Sequence, residues 1–217
     1  NVKVAADGKS YEKQETSIQD KAKDDVKDVF NVNSKYYGIP YADCLSGIVV
    51  DYDLFEDEGW NTYSGMYGLP GTFDEFKDLL NSIITGGNYS AYTWSVDHYT
   101  QMILDAIIQK VDGDEGIALW NTYSGEYDFD NDGTISADET ITPATAYKLL
   151  DTRGYEAAYD FVSTMYRKEN GVSYYDSNII QGVTYSGAQQ DFLMSKSSST
   201  RPRIAMILEG DWWENEA

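Results

Sequence analysis

Apolar residues recur along this chain at two spacings, and the switches between them mark out its elements. From Ser17 to Phe30, Ile18, Ala22, Val26 and Val29/Phe30 fall on one side with charges elsewhere, which predicts an amphipathic helix. Lys35 to Pro40 reads as a short strand closed by a turn, and Ile48-Val49-Val50 as a compact apolar strand. Asp53 to Glu58 can begin a short helix. Thr72-Phe-Asp-Glu75 spells a capping box, with Thr72 as the cap and Glu75 three residues on. The helix it opens runs to about Thr85, where Gly86-Gly87 ends it. Ala91 to Trp94 is a buried strand. Asp97 then caps a helix in which Ile103, Ile107 and Val111 make one stripe beside Leu104 and Ile108. Thr142-Pro143 is a helix start with proline in the first turn. Tyr155, Ala158, Phe161/Val162 and Met165 line a further helix face, Ser186 to Lys196 forms another helix, and Ile204 to Leu208 is a buried strand. The stretch up to about Glu15 is polar, turn-rich and loose.

Strands that alternate with helices favour an α/β layered domain over a helical bundle. The length of 217 residues allows one or two domains with a real core. Hydrophobic content of 41% and aromatic content of 14% argue against disorder. A formal charge of −21 speaks against nucleic acid or an anionic membrane surface as partner, because both need clustered Lys and Arg. No apolar run approaches a membrane span. Cys44 is the only cysteine, so no disulfide can form within the chain. Asn1 is not a natural start, and the reading is of an internal segment of a longer protein.

One stretch carries a specific chemistry. In Asp128-Phe-Asp-Asn-Asp-Gly-Thr-Ile-Ser-Ala-Asp-Glu139, oxygen side chains stand at loop positions 1, 3, 5, 9 and 12 of the EF-hand calcium pattern. Asp128, Asp130 and Asp132 supply carboxylates, Thr134 its backbone carbonyl, Ser136 an oxygen directly or through water, and Glu139 two oxygens. Gly133 sits where the loop turns sharply, and Ile135 is expected to pack inward. A hard cation such as Ca²⁺ needs about 6–8 converging oxygens, which this spacing offers. No second loop of this kind is present. A single copy between α/β elements points to a structural staple on an insertion, not a sensor.

Other chemistry finds little support. His98 is the only histidine, and its place near a helix start suits capping or packing. Cys44, beside an apolar strand, suits a small core residue. No phosphate-binding glycine loop or zinc-type spacing occurs. With 37 acidic residues, carboxylate pairs abound, so a secreted glycoside hydrolase fragment stays as an alternative, as does a calcium-dependent interaction module. Trp-Asn-Thr-Tyr-Ser-Gly occurs at 60–65 and again at 120–125, with flanks that do not match.

Several motifs in fixed order carry a resemblance. Lys35-Tyr-Tyr-Gly-Ile-Pro-Tyr41 leads to an apolar strand and Asp51-Tyr-Asp-Leu-Phe55. Thr72-Phe-Asp-Glu-Phe76, the Trp94 strand, the helix around Tyr155–Tyr166 and Ile204-Ala-Met-Ile-Leu-Glu-Gly-Asp-Trp-Trp213 follow. From about Phe30 onward this resembles the extracellular solute-binding proteins of ABC importers, of the maltose-binding type. The resemblance implies one lobe, the second, of a two-lobe periplasmic-binding-protein-like fold, over residues 35–217. A loose N-terminal segment and helix occupy 1–34, and the 128–139 loop is an insertion. It implies binding of a carbohydrate or other small polar solute without catalysis, and a permease partner for the full-length protein. It also implies a cell-surface lipoprotein of a Gram-positive bacterium, anchored outside these residues. By matched position, Tyr41 and Asp43 near the crossing, Trp94 and Trp212 are the solute-contact candidates, with Trp213 turned inward. Asp51-Tyr52 departs from the family's Tyr-Asn at that place.

Overall fold

A computed structural model describes residues 2–4, 11–13, 20, 31–38 and 45–213, without the side chains of 2–4, 11–13, 97 and 98. Apart from Asp20, which is helical, the predicted helix over Ser17–Phe30 lies outside the described residues, as do the candidates Tyr41, Asp43 and Cys44 and the side chain of His98. The chain divides into two compact units, Asn1–Cys44 and Leu45–Ala217, where the sequence pattern drew its boundary between 34 and 35.

In the first unit, β1 (Val2–Val4) pairs antiparallel with β2 (Tyr11–Lys13), so strands stand where a loose stretch was expected. β3 (Asn31–Val32) and β4 (Lys35–Tyr36) form a tight hairpin. Asn33 and Ser34 between them have φ of 53° and 61°, the positive values that a two-residue turn needs to match strand twist.

The second unit is mixed α/β, built on a three-stranded sheet of order β5-β11-β6. β5 (Ser46–Val50) runs antiparallel to β11 (Arg203–Gly210), with Met206 opposite Val50 and Leu208 opposite Ile48. β6 (Tyr89–Thr93) runs parallel to β11, with Met206 also opposite Tyr92. After the hairpin of β9 (Lys168–Glu169) and β10 (Val172–Ser173), residues 174–176 cover the outer edge of β6: the Ala91 amide donates to the Tyr174 carbonyl, and the Asp176 amide to that of Tyr92. β11 is buried over seven of its residues, from Ile204 to Gly210, as a central strand covered on both faces must be.

Helices lie on both faces. On one, α1 (Tyr52–Glu58), α2 (Phe73–Ile84), the first part of α3 (Val96–Thr122) and α4 (Arg153–Met165) enclose the main core. Phe55, Leu79, Leu80, Ile83, Trp94, Met165 and Met206 lie within it. On the other, α5 (Tyr185–Ser195) packs Ala188 and Phe192 on Ile204 and Ile207. Caps set the helix starts: Thr72 Oγ1 accepts from the Glu75 amide, Thr152 Oγ1 from the Tyr155 amide and Thr184 Oγ1 from the Gly187 amide. Asp51 caps α1 and also binds the Arg203 guanidinium, tying the start of the helix to β11.

Two expectations are corrected here. α3 begins at Val96, with Ser95 rather than Asp97 at the N-cap position. It also breaks at Gly113, whose φ of 72° and ψ of −168° leave the helical region. Val111, just before the break, is exposed instead of continuing the apolar stripe. Pro143 opens a 3-10 segment, Pro143–Asp151, and not an α-helix. The Thr145 hydroxyl accepts from the Thr142 amide, and such local side-chain bonds compete with α-helical geometry. Regular helix starts only at Arg153.

Candidate functional site

Two places in the second unit bring together the residues singled out by sequence. The first is the end of the sheet where the parallel strands β6 and β11 finish and β5 begins. Ligands of open α/β sheets gather at strand C-terminal ends. The Asp211 amide donates to the Leu45 carbonyl at 2.8 Å, so the chain enters β5 beside the exit of β11.

Trp212 and Trp213 follow β11, and each is partly buried. Trp212 packs on the main core, and its ring lies so close over Gly210 that a Cβ there would come within 2.1 Å of it. Trp213 packs on the opposite face, edge-on to Phe192 at 5.9 Å. Trp94 stands differently from the expectation. It is fully buried, 5.2 Å from the Tyr92 ring and 5.9 Å from that of Tyr166, so it presents no face to a solute in this conformation. Its Nε1–H has no hydrogen-bond partner among the described residues. Glu209, also buried at this end, accepts from the Gln189 side-chain amide at 3.0 Å and from the Gly210 amide at 3.1 Å. The sequence carried no signal for Glu209, because an acid at the end of an apolar run reads as exposed.

The second place is the 128–139 loop, closed at its base by β7 (Gly125–Glu126) pairing with β8 (Thr140–Ile141). Carboxylate oxygens of Asp128, Asp130 and Glu139 lie within 4.8 Å of one another. Gly133 adopts φ of 85° at the turn. Glu139 is buried, and its two oxygens accept from the Phe129 amide at 2.7 Å and from the Ser136 amide and hydroxyl at 2.7 and 2.8 Å. Asp128 accepts from the Asp132 and Gly133 amides. Asp132 is outside the trio and accepts from the amide and hydroxyl of Thr134. Ile135 is 46% exposed rather than packed inward, because nothing among the described residues covers that side of the loop.

The electrostatics of the trio are uneven. The Ser136 amide and then its hydroxyl hold the Glu139 carboxyl below its ordinary value. Asp130 accepts from the Asp132 amide, which lowers its pKa, yet lost hydration and the charges of Asp132, Glu139 and Asp128 together push it above the usual range. A dication at this point would relieve that repulsion, and the donor set of hard oxygens fits calcium.

Sequence reading missed what holds this loop to the rest of the unit. Tyr127 donates to Asp112 at 2.7 Å, and the Gly154 amide donates to the same carboxylate at 2.9 Å. Burial and then the Asp112 bond push the Tyr127 hydroxyl up to about 12. Asp112 and Tyr127 are 15 residues apart, beyond any helical spacing, so only the fold reveals them.

A cavity of about 620 Å³ lies elsewhere, between β5, α2, α3 and α4. Only Thr72, Lys110 and Asp160 bring polar side chains to it, among walls such as Ile48, Phe73 and Phe161. Its walls are mostly apolar, so few groups there can replace the hydrogen bonds of a sugar's hydroxyls.

No protein-family model matches the sequence, and no curated protein matches it. Among solved structures the chain is similar to one described as a chitin oligosaccharide binding protein, at 22% identity and a TM-score of 0.51. The match covers 86% of this chain and 37% of that one, so the chain spans well under half the length of its neighbour. This likeness speaks to the fold. No helix among the described residues is long and apolar enough to cross a membrane.

Proposed function

We propose that this chain is one lobe of an extracellular binding protein that captures a carbohydrate for an ABC importer, with Ca²⁺ held structurally in the 128–139 loop. The observation that carries the reading is Trp212, partly exposed directly after the C-terminal end of β11, on a fold similar to that of an oligosaccharide-binding protein. An indole face buries sugar C–H surface without taking hydrogen bonds from hydroxyls. The task requires no covalent chemistry. A surface lipoprotein, delivering its solute to a permease, is the setting in which such a lobe works. Asp128, Asp130 and Glu139 would hold the ion, with Asp132, the Thr134 carbonyl and Ser136 completing the shell.

Isothermal calorimetry against neutral oligosaccharides, chitin oligomers among them, tests the solute reading on the full-length parent protein. Trp212→Ala should cost about 1–3 kcal/mol of affinity, the scale of a large buried side chain. The 217-residue chain alone should bind weakly, because a two-lobe site closes from both sides. Unchanged affinity in the variant would remove Trp212 from the site, and tight binding of peptides with none of sugars would overturn the solute class.

A further inference from the structure

Residues 114–151 lie between the Gly113 break in α3 and the start of α4, and within them Leu119, Tyr127, Ile141 and Leu149 form a small core separate from the main one. Both ends of this stretch meet at one junction. Asp112, just before the break, accepts from the Tyr127 hydroxyl and from the Gly154 amide in the first turn of α4. The Tyr127 hydroxyl in turn accepts from the Arg153 amide at 2.9 Å. The Arg153 guanidinium lies 4.8 Å over the Tyr127 ring and donates to the Asp128 carbonyl at 2.7 Å.

Tyr127 also belongs to the acidic loop. It immediately precedes Asp128, its amide donates to the Glu139 carbonyl at 3.2 Å, and its ring meets Phe129 edge-on at 4.9 Å. The first and last residues of the loop therefore act on Tyr127 from one side and the N-terminus of α4 from the other. At the far end of α4, the Met165 carbonyl accepts from Tyr92, and the next ring, Tyr166, touches Trp94. A helix of 13 residues spans about 20 Å, so α4 joins the loop to the strand end that carries Trp94.

We propose that Tyr127 couples cation binding in the loop to the docking of α4: a divalent cation held by Asp128, Asp130 and Glu139 fixes Tyr127, which locks the first turn of α4 onto Asp112. This rests on the calcium reading above. Without the ion, three carboxylates within 4.8 Å repel, and the loop ends that position Tyr127 are free to spread. An ion that binds only the formed loop stabilises every contact the formed loop requires.

Hydrogen exchange on the 217-residue chain, with and without Ca²⁺, tests the coupling. Calcium should slow exchange of the loop amides at 128–139 and of the α4 amides at 154–158 together. At calcium near 100 times its dissociation constant, the slowing can reach about 100-fold. In Tyr127→Phe, which keeps the ring but removes the hydroxyl, calcium should still slow the loop, while amides 154–158 lose most of their response. Slowing of the loop alone in the unsubstituted chain would overturn the proposal. So would a Tyr127→Phe chain whose α4 exchanges faster by the same factor with and without calcium, the mark of a purely structural role. If neither region responds, the calcium reading fails and this proposal with it, and the loop amides distinguish that result from the others. Should Tyr127→Phe not fold, Asp112→Asn weakens the same junction and is read in the same way.

Discussion

Glu75 accepts from the Ser64 amide and hydroxyl and from the Gly71 amide, so one carboxylate ties both ends of an irregular loop to the first turn of α2. Thr72 meanwhile caps the helix by itself. The Gly71 amide first, and the Ser64 hydroxyl second, hold the Glu75 carboxyl below its ordinary value of 4.5. A depressed acid contributes its stabilisation above the unfolded pKa and loses it as pH falls through the folded one. Amide shifts of Gly71 and Ser64 followed by NMR should therefore titrate with a midpoint below 4.5. A midpoint at or above 4.5 would show that the carboxylate is not held. The capping-box spelling announced Thr72 correctly, since a cap needs only local sequence. It could not announce Ser64, which reaches Glu75 through a loop whose path no periodicity describes.

At the level of elements, the strands and helices with strong patterns stand close to where the chain's apolar spacing puts them. Examples are Phe73–Ile84 with its five buried residues, Tyr89–Thr93, and Arg203–Gly210. Failures cluster where side chains bargain with the backbone, at Thr145 and Gly113, and where tertiary cover is missing, at Ile135. The repeated hexapeptide makes the same point within one molecule. At Trp60–Gly65 it is an irregular loop with Trp60 in the main core, whereas at Trp120 it finishes α3 and turns at Tyr123 with φ of 52°. Identical residues take two conformations because different surroundings select them. The contact of α4 with α3 has its own requirement. A Cβ on Gly154 would meet the Asp112 carboxylate at 2.3 Å and the Ile108 Cα at 3.0 Å. Gly154→Ala should destabilise the fold by about 1–3 kcal/mol, the usual cost of forcing a methyl into a packed contact. Urea unfolding would check it, and an unchanged midpoint would mean that α4 can shift without penalty.

For the whole molecule, the formal charge of −21 makes any bound dication a net benefit, and a single cation site should show in the melting curve. At calcium about 100 times its dissociation constant, mass action adds roughly 2.7 kcal/mol, or about 5–10 °C for a unit of this size. Glu139→Gln should abolish most of that gain and, by losing an acceptor for the Phe129 or Ser136 donors, also lower the melting temperature in chelator; an equal calcium response in both forms would place the ion elsewhere. Charge has another consequence through β5. This strand has β11 on one side and no second neighbour among the described residues, with Ile48 and Leu45 exposed along it. Such a border is a template on which another copy can stack its backbone, the usual route to insoluble aggregates. Mutual repulsion between polyanions keeps two such borders apart in dilute buffer. At about 1 M salt the screening length shrinks to roughly 3 Å, less than the spacing between paired strands, and colloidal protection of that border is lost.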